Sequence, residues 1–234
     1  MEEDTAAAYD RVADDYQAAF PSLAFRRREY HFLFSHVPPS WEAVLDVGCG
    51  NGIFLKTIAA SIGRGIGVDV SPRMLHLAAQ NTRDCRNVRI LNYNGIQLPF
   101  PDRTFDCVLS SFSWRYFPLE HILSECHRVL KDEGTLLVVD QFLYGATRPS
   151  LWSVAAGKAR FLWSCLRRPK FPVRLQALIS KPEWRHLMRR FPGTTIEDFT
   201  RTCAACFHLQ RVKRLNCSFQ RVTYGILAAK RGVV

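Results

Sequence analysis

The sequence predicts a doubly wound α/β fold, in which a mostly parallel sheet carries helices on both faces and ends in an antiparallel strand pair. Three observations support this prediction. Short apolar runs rich in β-branched residues alternate with amphipathic stretches of about 10 to 15 residues. A glycine-rich turn follows the first of these runs, and two further strand-like runs lie near the end of the sequence. Such alternation is typical of a parallel sheet that is covered on both sides.

The first elements form one βαβ unit. Residues 43–47 predict a buried strand that continues directly into the glycine turn 48–52, and apolar residues at helical spacing follow it. Residues 65–70 predict a second buried strand. Ser71 then has the side chain of an N-cap, and Pro72 suits the first position of the next helix.

The same alternation continues along the rest of the chain. A helix is expected to begin at Pro118 and to end at Gly134. Further strands are predicted at 88–91, 105–111, 135–139, 209–215 and 219–229, with a helix at 196–206. We expect a single domain over residues 1–234, divided into N-terminal helices (1–40), a core (41–142), a variable insertion (143–194) and a C-terminal helix with the last strands (195–234).

Composition limits the class of protein. A chain of 234 residues with 47% hydrophobic residues can bury a sizeable core by itself. No apolar run approaches the roughly 18 residues that span a bilayer, and the first residues are acidic, so we expect a cytoplasmic protein. Its eight cysteines are then expected to be reduced. Cys203 and Cys206 would lie one turn apart on a helix, and we expect no metal site.

The positive charge is concentrated in the variable insertion. Residues 148–190 carry eleven Lys and Arg against the single acid Glu183, which accounts for nearly all of the net charge of +11. Aromatic residues are interleaved with these charges: Trp152, Phe161, Trp163, Phe171, Trp184 and Phe191. This pattern favours contact with an acidic group or an anionic surface. A solvated basic face over an ordinary aromatic core remains an alternative.

The glycine turn and an acidic residue after the second strand together indicate a nucleoside site. Backbone N–H groups at such a turn are open to a close ligand. The spacing Gly48-x-Gly50-x-Gly52 places the third glycine one residue too early for the dinucleotide motif, which disfavours NAD. Asp69 ends the second predicted strand, where a carboxylate can accept both hydroxyls of a ribose.

Four motifs in this order resemble class I S-adenosylmethionine-dependent methyltransferases, in particular the small-molecule enzymes with a methyltransferase type 11 domain. The motifs are VLDVGCGNG (44–52), GVDVSPRML (67–75), LPFPDRTFD (98–106) and RVLK (128–131). The resemblance implies a Rossmann-like fold of seven strands. It also implies S-adenosylmethionine as the cofactor and methyl transfer as the reaction.

The resemblance also implies which residues bind the cofactor. The glycine turn would hold its methionine part, Asp69 its ribose, and Met74 would lie beside the adenine. Many relatives have an aspartate where this chain has Asn94, whose amide oxygen can still accept a hydrogen bond. The full set of expected contacts in the core is Asp46, Gly48, Cys49, Gly50, Gly52, Asp69, Val70, Met74, Asn94, Gly95, Ile96, Ser110 and Ser111.

Two tyrosines predict a lid. Tyr9 and Tyr16 are seven residues apart, so a helix would place both on one face. In relatives a similar N-terminal stretch folds over the cofactor, and we expect residues 1–40 to do the same. The alternative is an amphipathic helix that only packs against the domain.

The acceptor is expected to bind beside the segment that follows the fourth strand, at the carboxyl edge of the sheet. Ser113, Trp114 and Arg115 would contact it there, and Trp152 would contact it from the variable insertion, which should act as a substrate cap. Tyr116 is the first candidate for a proton acceptor and His121 the second. Alternatively, Tyr116 is a packed wall and His121 lies in the first turn of a helix.

Three functions fit these observations. The first is methylation of a small, hydrophobic and acidic metabolite or a lipid-like acceptor, with contact to an anionic membrane through residues 148–190. The second is methylation of RNA or an acidic carrier protein through the same segment. Nucleic acid is the less favoured partner, because the sequence has neither the Asn/Asp-Pro-Pro-Tyr motif nor the Pro-Cys nucleophile of nucleobase methyltransferases. The third is a cofactor-binding regulatory protein without turnover.

Overall fold

A mixed sheet of seven strands lies at the centre of the computed structural model, which describes residues 2–38, 40–145, 150–190, 193–218 and 221–231. Arg148, Phe191 and Phe219 lie outside the described residues. The strands are β1 (Ala43–Val47), β2 (Arg64–Asp69), β3 (Val88–Asn92), β4 (Phe105–Ser111), β5 (Leu130–Leu143), β6 (Phe207–Cys217) and β7 (Arg221–Lys230).

The sheet is doubly wound. Its strand order is β3-β2-β1-β4-β5-β7-β6. The strands β1 to β5 are parallel, whereas β7 runs antiparallel between β5 and β6. The chain order reverses between β1 and β4, which creates a crevice at the carboxyl ends of these two strands. The predicted fold class is therefore confirmed, including the antiparallel pair at the end of the chain.

The described helices cover both faces of the sheet and one of its edges. They are α1 (Glu2–Ala19), α2 (Arg27–Phe34), α3 (Ile53–Ile58), α4 (Pro72–Thr82), α5 (Leu119–Val129), α6 (Leu151–Arg167), α7 (Lys170–Ser180), α8 (Pro182–Arg190) and α9 (Ile196–Cys206). Cys203 and Cys206 share α9 as expected, the first buried and the second half-buried. Each described helix is too short or too polar to cross a bilayer.

Two apolar layers hold the helices to the sheet. Successive residues of a strand point to opposite faces, so Val108 packs with α5 and α9, whereas its neighbour Leu109 packs with α2 and α3. Both residues are fully buried. This double-sided burial explains why the central strands read as continuous apolar runs.

One predicted boundary is wrong. Helix α5 ends at Val129, not at Gly134, and β5 begins at once with Leu130. Leu130 pairs with Phe105 of β4, and its N–H donates to the carbonyl of Cys126, so the chain turns from helix to strand without a loop. Gly134 lies inside β5, next to Glu133, whose φ of 61° marks a local irregularity.

The variable insertion forms three helices that pack beside the N-terminal helix. Helices α7 and α8 contact α1, and α6 contacts β6 and α7. Lys181, just before α8, forms an ion pair of 3.1 Å with Asp15 of α1. Helices α7 and α8 therefore form one layer with α1, whereas α2 packs on a face of the sheet.

Candidate functional site

An open cavity lies at the carboxyl ends of β1, β2 and β4, beneath α1. Its empty space measures about 890 Å³, including open solvent at its mouth. We call the residues from the strand ends and the start of α4 the floor: Gly48, Gly50, Asp69, Val70, Met74, Tyr93, Gly95, Ser111, Phe112 and Ser113. We call the remaining residues the roof: Thr5, Tyr9, Tyr16, Tyr116, Phe117 and Pro118.

The glycine turn brings backbone close to the cavity. Gly48 and Gly50 have φ values of +72° and +53°, which other residues rarely adopt. A Cβ on Gly48 would lie 2.5 Å from that of Ser113, whereas a Cβ on Gly50 would meet no atom within 4 Å. Gly48 is therefore required by packing, and Gly50 leaves open space where a ligand can approach the backbone.

Cys49 and Gly52, both predicted to contact a ligand, face the protein instead. The Cys49 side chain packs beneath Gly67 of β2, where an added Cβ would lie 2.8 Å from its sulfur. Gly52 allows α3 to approach Ala78 of α4, because a Cβ there would lie 2.9 Å from the Ala78 Cβ. Both residues shape the turn and do not line the cavity.

Asp69 is fixed at the end of β2 by two backbone groups. The Gly50 N–H donates to Oδ2 at 2.9 Å, and the Ser71 N–H donates to Oδ1 at 3.0 Å. Ser71 also serves as the predicted N-cap, since its hydroxyl accepts from the Met74 N–H at 3.1 Å. Burial raises the pKa of Asp69, although the two N–H groups oppose the shift. Each carboxylate oxygen keeps one lone pair for a ligand hydroxyl.

Asp46 is a buried carboxyl group with an unsatisfied oxygen. Its side chain is almost fully buried in β1, and Oδ1 has no hydrogen-bond partner among the described residues. Burial, and next the charge of Asp69, raise the pKa of Asp46 to about 8. Two carboxyl groups thus lie close together, Asp69 in the floor and Asp46 beneath it, and a cationic group in the ligand would favour their ionised forms.

Two serines close the floor next to Gly48. The hydroxyls of Ser110 and Ser113 both approach the Val47 carbonyl, at 2.7 and 3.0 Å, and lie 2.5 Å from each other. Ser110 is completely buried, so it supports the floor from behind. Ser111 and Ser113 line the cavity as predicted.

Phe112 is a floor residue that the sequence did not identify. Its φ of 61° is unusual for a bulky side chain. Its N–H donates to the Val139 carbonyl at 2.8 Å, and the guanidinium of Arg26 lies 3.6 Å from its ring centroid. Strained backbone of this kind is concentrated at functional sites, but φ cannot be read from the amino-acid type.

Helix α1 covers the cavity with Thr5, Tyr9 and Tyr16. Asp10 fixes its position, since one carboxylate oxygen accepts from both the Ser71 hydroxyl and the Arg73 N–H at the start of α4. Arg73 also forms an ion pair of 2.8 Å with Asp14. The predicted placement of Tyr9 and Tyr16 on one face therefore directs both tyrosines into the cavity.

A tyrosine pair joins the two parts of the roof. The Tyr9 hydroxyl donates to the Tyr116 hydroxyl at 2.8 Å, and the two rings meet edge to face. Burial raises the pKa of both phenols, and the nearby Arg115 only partly opposes this for Tyr116. Tyr116 is thus protonated at neutral pH, which favours a hydrogen-bonding role over the predicted role of proton acceptor.

Trp114 and Arg115, expected to contact the acceptor, are buried behind the cavity. The Trp114 ring packs edge to face on Phe199 of α9, and the backbone N–H of Trp114 donates to Asp140 Oδ2 at 2.8 Å. The Arg115 guanidinium approaches Asp140 at 3.5 Å and donates to the Gln141 side chain at 3.2 Å. Neither side chain lines the cavity. The prediction assumed that every residue of this segment faces the ligand, whereas the chain forms a 3₁₀ turn here.

Four further predicted residues also lie away from the cavity wall: Asn94, Ile96, His121 and Trp152. The Asn94 side-chain oxygen accepts from the N–H groups of Ile96 and Gln97, so it closes a turn. The exposed His121 lies 2.6 Å from the Ile96 carbonyl through Nε2, which must carry a proton because a carbonyl can only accept. His121 therefore stabilises the turn. Trp152 projects into solvent from α6.

Some of the remaining roof and floor residues could have been predicted because they lie close in sequence to residues that were predicted. Phe117 and Pro118 directly continue the predicted acceptor segment, and Thr5 precedes Tyr9 by one helical turn. Tyr93 reaches the cavity because β3, which it follows, pairs with β2. That adjacency is a tertiary feature, which no local pattern reveals.

Comparison with protein families places the chain among methyltransferases. A family model described as a methyltransferase domain matches residues 45–138, which contain most of the floor. The demethylmenaquinone methyltransferase of Tropheryma whipplei is 31% identical over 193 residues, covering 82% of this chain and 74% of the relative. That of Bacillus licheniformis is 27% identical over 233 residues, covering 96% and 94%.

Solved structures support the fold. The geranyl diphosphate C-methyltransferase of Streptomyces coelicolor superposes with a TM-score of 0.62 at 17% identity, covering 86% of this chain and 76% of that chain. The cyclase SpnF superposes with a TM-score of 0.70 at 15% identity, covering 97% and 96%. These distant similarities concern the fold alone, because it serves more than one reaction.

Proposed function

The chain belongs to the class I S-adenosylmethionine-dependent methyltransferases, and from this premise we propose that it methylates a small apolar acceptor held between the floor and the tyrosine pair. S-adenosylmethionine is the cofactor. The observation that carries the proposal is the single cavity that joins the glycine turn and Asp69 to Tyr9 and Tyr116.

The floor has the groups that S-adenosylmethionine requires. Asp69 offers a lone pair on each carboxylate oxygen for the ribose hydroxyls, and Gly50 leaves room for the methionine part. Asp46, with its unpartnered oxygen, offers a carboxyl group near the floor, and a positively charged cofactor would favour its ionised form. The buried Met74 provides an apolar surface for the adenine. When bound, the cofactor supplies an electrophilic methyl group on a sulfonium.

The roof favours an apolar acceptor with a ring. Tyr9, Tyr116, Phe117 and Pro118 form most of its surface, and aromatic side chains contact flat rings well. Asp69 is the one carboxylate among the described lining residues, and it belongs to the floor. The acceptor side is therefore a poor environment for a polyanion. The names of the two demethylmenaquinone methyltransferases agree with a quinol-type acceptor.

The reaction requires alignment more than acid–base catalysis. Methyl transfer is an in-line displacement, so the enzyme gains most by fixing donor and acceptor in one geometry and excluding water. Tyr116, with a raised pKa, can hold an acceptor oxygen by a hydrogen bond, and Tyr9 orients its hydroxyl at 2.8 Å. We assign Tyr116 to acceptor positioning. An acceptor whose nucleophilic atom is already electron-rich would need no further base.

A second candidate, methylation of RNA or an acidic carrier, is favoured by a basic groove that the sequence did not predict. Arg27, Arg28, His31, His36, Arg211, Lys213 and Arg214 converge there from α2 and β6. The net charge of residues 148–190 is thus only part of the basic surface. This groove lies apart from the described cavity lining, so we favour the small acceptor.

Two measurements test the proposal. Calorimetric titration with S-adenosylmethionine and S-adenosylhomocysteine should show micromolar binding, with NADH as the negative control. Label transfer from methyl-labelled S-adenosylmethionine should then reach reduced demethylmenaquinone and not RNA or an acidic carrier protein. Binding of NADH alone would contradict the cofactor assignment. Methylation of RNA with strong salt dependence would favour the second candidate.

A further inference from the structure

Helix α6 exposes an apolar face to solvent. Of its residues, only Val154 belongs to the buried core. Five large apolar side chains are more than half exposed: Leu151 (83%), Trp152 (85%), Leu162 (61%), Trp163 (59%) and Leu166 (77%). Water contact with this much apolar surface on one helix is unfavourable, and such patches on monomers mark interaction sites.

The exposed side chains form one continuous sector. With 3.6 residues per turn, these five residues and three alanines fall within about 140° of the helix circumference. The sector contains Leu151, Trp152, Ala155, Ala156, Ala159, Leu162, Trp163 and Leu166, and no charged residue. The opposite side, with Val154 and Gly157, packs toward β6. The helix therefore has two apolar faces. One packs against the protein, and the other is exposed to solvent.

Basic residues border this sector on both sides. By the same helical periodicity Lys158 lies at one edge, and Arg160 and Arg167 lie at the other. The Arg167 guanidinium lies 5.0 Å from the Trp163 ring centroid, so charge and aromatic surface are adjacent. Beyond Arg160, a groove continues to Arg27 and Arg28. The acid Glu183 is the only one within residues 150–190.

We propose that α6 lies flat in the interface of an anionic membrane, with its apolar sector among the acyl chains and its basic edges at the headgroups. A helix with an apolar face, aromatic residues and flanking Lys and Arg has the features of an interfacial helix. Long basic side chains also keep their charges in water while their stems lie on apolar surface.

Charge argues for a membrane over a second copy of the chain. A symmetric contact through α6 would bring the basic edges of two copies together, and like charges across an interface are unfavourable. A nucleic acid would match the charge but not the leucine and tryptophan surface. An anionic bilayer matches both, so it is the occupant to which the proposal commits.

Ring contacts connect this helix to the roof of the cavity. Phe161 of α6 contacts Phe171 of α7, which contacts Phe20 at the end of α1, with centroids 6.1 and 6.3 Å apart. Tyr16 then contacts Phe20 and Trp184, and Trp184 contacts Tyr9. A docked α6 would thus hold the lid helix near the membrane surface, where a lipid-like acceptor is found. Only this last step rests on the proposed function.

Vesicle flotation tests the docking. The wild-type protein should bind vesicles of phosphatidylcholine with 30% phosphatidylglycerol. It should bind vesicles of phosphatidylcholine alone much more weakly. Trp152 and Trp163 should shift their fluorescence to the blue on binding. The variant Leu162→Ser/Leu166→Ser keeps both reporters and should bind at least about tenfold more weakly.

Two further variants complete the test. Leu91→Ser is the control, since Leu91 is an exposed apolar residue on β3, at the opposite edge of the sheet from β6, against which α6 packs; it should bind vesicles like the wild type. Lys158→Glu/Arg167→Glu should lose the preference for phosphatidylglycerol. Calorimetry with S-adenosylmethionine should give unchanged affinity in all variants, which separates docking from the proposed function.

Three outcomes would overturn the docking proposal. The first is that the wild-type protein does not bind anionic vesicles. The second is equal vesicle binding by the wild type and the Leu162→Ser/Leu166→Ser variant. The third is a dimer in sedimentation velocity that the same variant abolishes, which would show that the sector binds a second copy.

Discussion

The floor and the roof of the cavity differ in what fixes their side chains. Floor residues such as Asp69 are held by backbone N–H groups, one from the glycine turn after the neighbouring strand and one from Ser71 two residues further on, at 2.9 and 3.0 Å. Roof residues such as Tyr9 are held by side chains from distant segments, including Tyr116 and Trp184. The floor is part of the sheet, whereas the roof is assembled from helices packed over it.

This difference suggests that the floor and the roof have different roles in binding and turnover. A floor built on strand ends has a fixed geometry, which suits a cofactor that is the same in every turnover. A roof made of helices held by aromatic contacts and ion pairs such as Lys181 with Asp15 can move at smaller cost. An acceptor must enter and leave through the mobile side. Changes in the floor should therefore affect cofactor affinity, and changes in the roof should affect turnover.

The largest effect is expected from the floor. Asp69→Ala removes both carboxylate oxygens that would accept the ribose hydroxyls, and hydrogen bonds to a charged group contribute about 1.5 to 3 kcal/mol each. We expect S-adenosylmethionine affinity to fall by at least about 100-fold in calorimetry. Asp14→Ala, which removes an exposed acid of the lid helix, is the control and should change affinity less than about threefold. Equal affinity in Asp69→Ala and wild type would contradict the ribose assignment.

The second largest effect is expected on the pH dependence of protein stability, and Asp46 causes it. Because Asp46 has a pKa of about 8 in the folded protein and about 3.9 when unfolded, the native state holds its proton more tightly. Stability from this group therefore falls as pH rises from about 4 to 8. Asp46→Asn removes the titration, so its stability relative to wild type should increase by roughly 3 to 4 kcal/mol between pH 5 and pH 8.

Denaturant unfolding of the cofactor-free protein at several pH values measures this difference. Asp84→Asn, at an exposed carboxyl group, is the matched control and should show no such trend. The same Asp46→Asn protein should bind S-adenosylmethionine more weakly, because a carboxyl group can ionise when the positively charged cofactor binds, whereas an amide cannot. A stability difference that stays constant from pH 5 to pH 8 would show that Asp46 is ionised throughout.

Sequence reasoning was more successful for the floor than for the roof. β1 and β4 were predicted at their observed bounds, and the turn, Asp69 and the Ser71 cap are where the spacing placed them. These features depend on residues close together in sequence. Asn94 and Cys49 show the limit even here, since a turn and a packing contact use side chains that the motif alone would assign to the ligand.

The roof depends on contacts that the sequence does not specify. Tyr9 and Tyr116 are 107 residues apart, and nothing local indicates that their hydroxyls meet. Trp114 and Arg115 were expected at the acceptor because they follow β4, but the 3₁₀ turn directs them into the core. The exposed sector of α6 was visible only as aromatic and basic composition. Exposure has to be known before such a sector can be told from a buried helix.

The smallest effect is expected from the tyrosine pair, and it tests the roof directly. Tyr116→Phe removes the hydroxyl that would hold the acceptor, whereas Tyr9→Phe only removes the donor that orients it. One hydrogen bond contributes about 0.5 to 1.5 kcal/mol, so we expect kcat/KM to fall by up to about tenfold in Tyr116→Phe and by about threefold in Tyr9→Phe. Cofactor affinity should change less than twofold in both, in contrast to Asp69→Ala.

The pH dependence of turnover then distinguishes positioning from proton transfer. Burial raises the pKa of Tyr116 above its usual value of 10.0, so the phenol stays protonated between pH 6 and pH 9. Removal of the hydroxyl in Tyr116→Phe should therefore leave the shape of the pH–rate profile unchanged over that range. If Tyr116 were a proton acceptor, the rate would instead rise with pH in the wild type, and this rise would disappear in Tyr116→Phe. If such a rise is found, Arg115 would have to lower the pKa of Tyr116 when the acceptor binds, and Tyr116 would act as the proton acceptor.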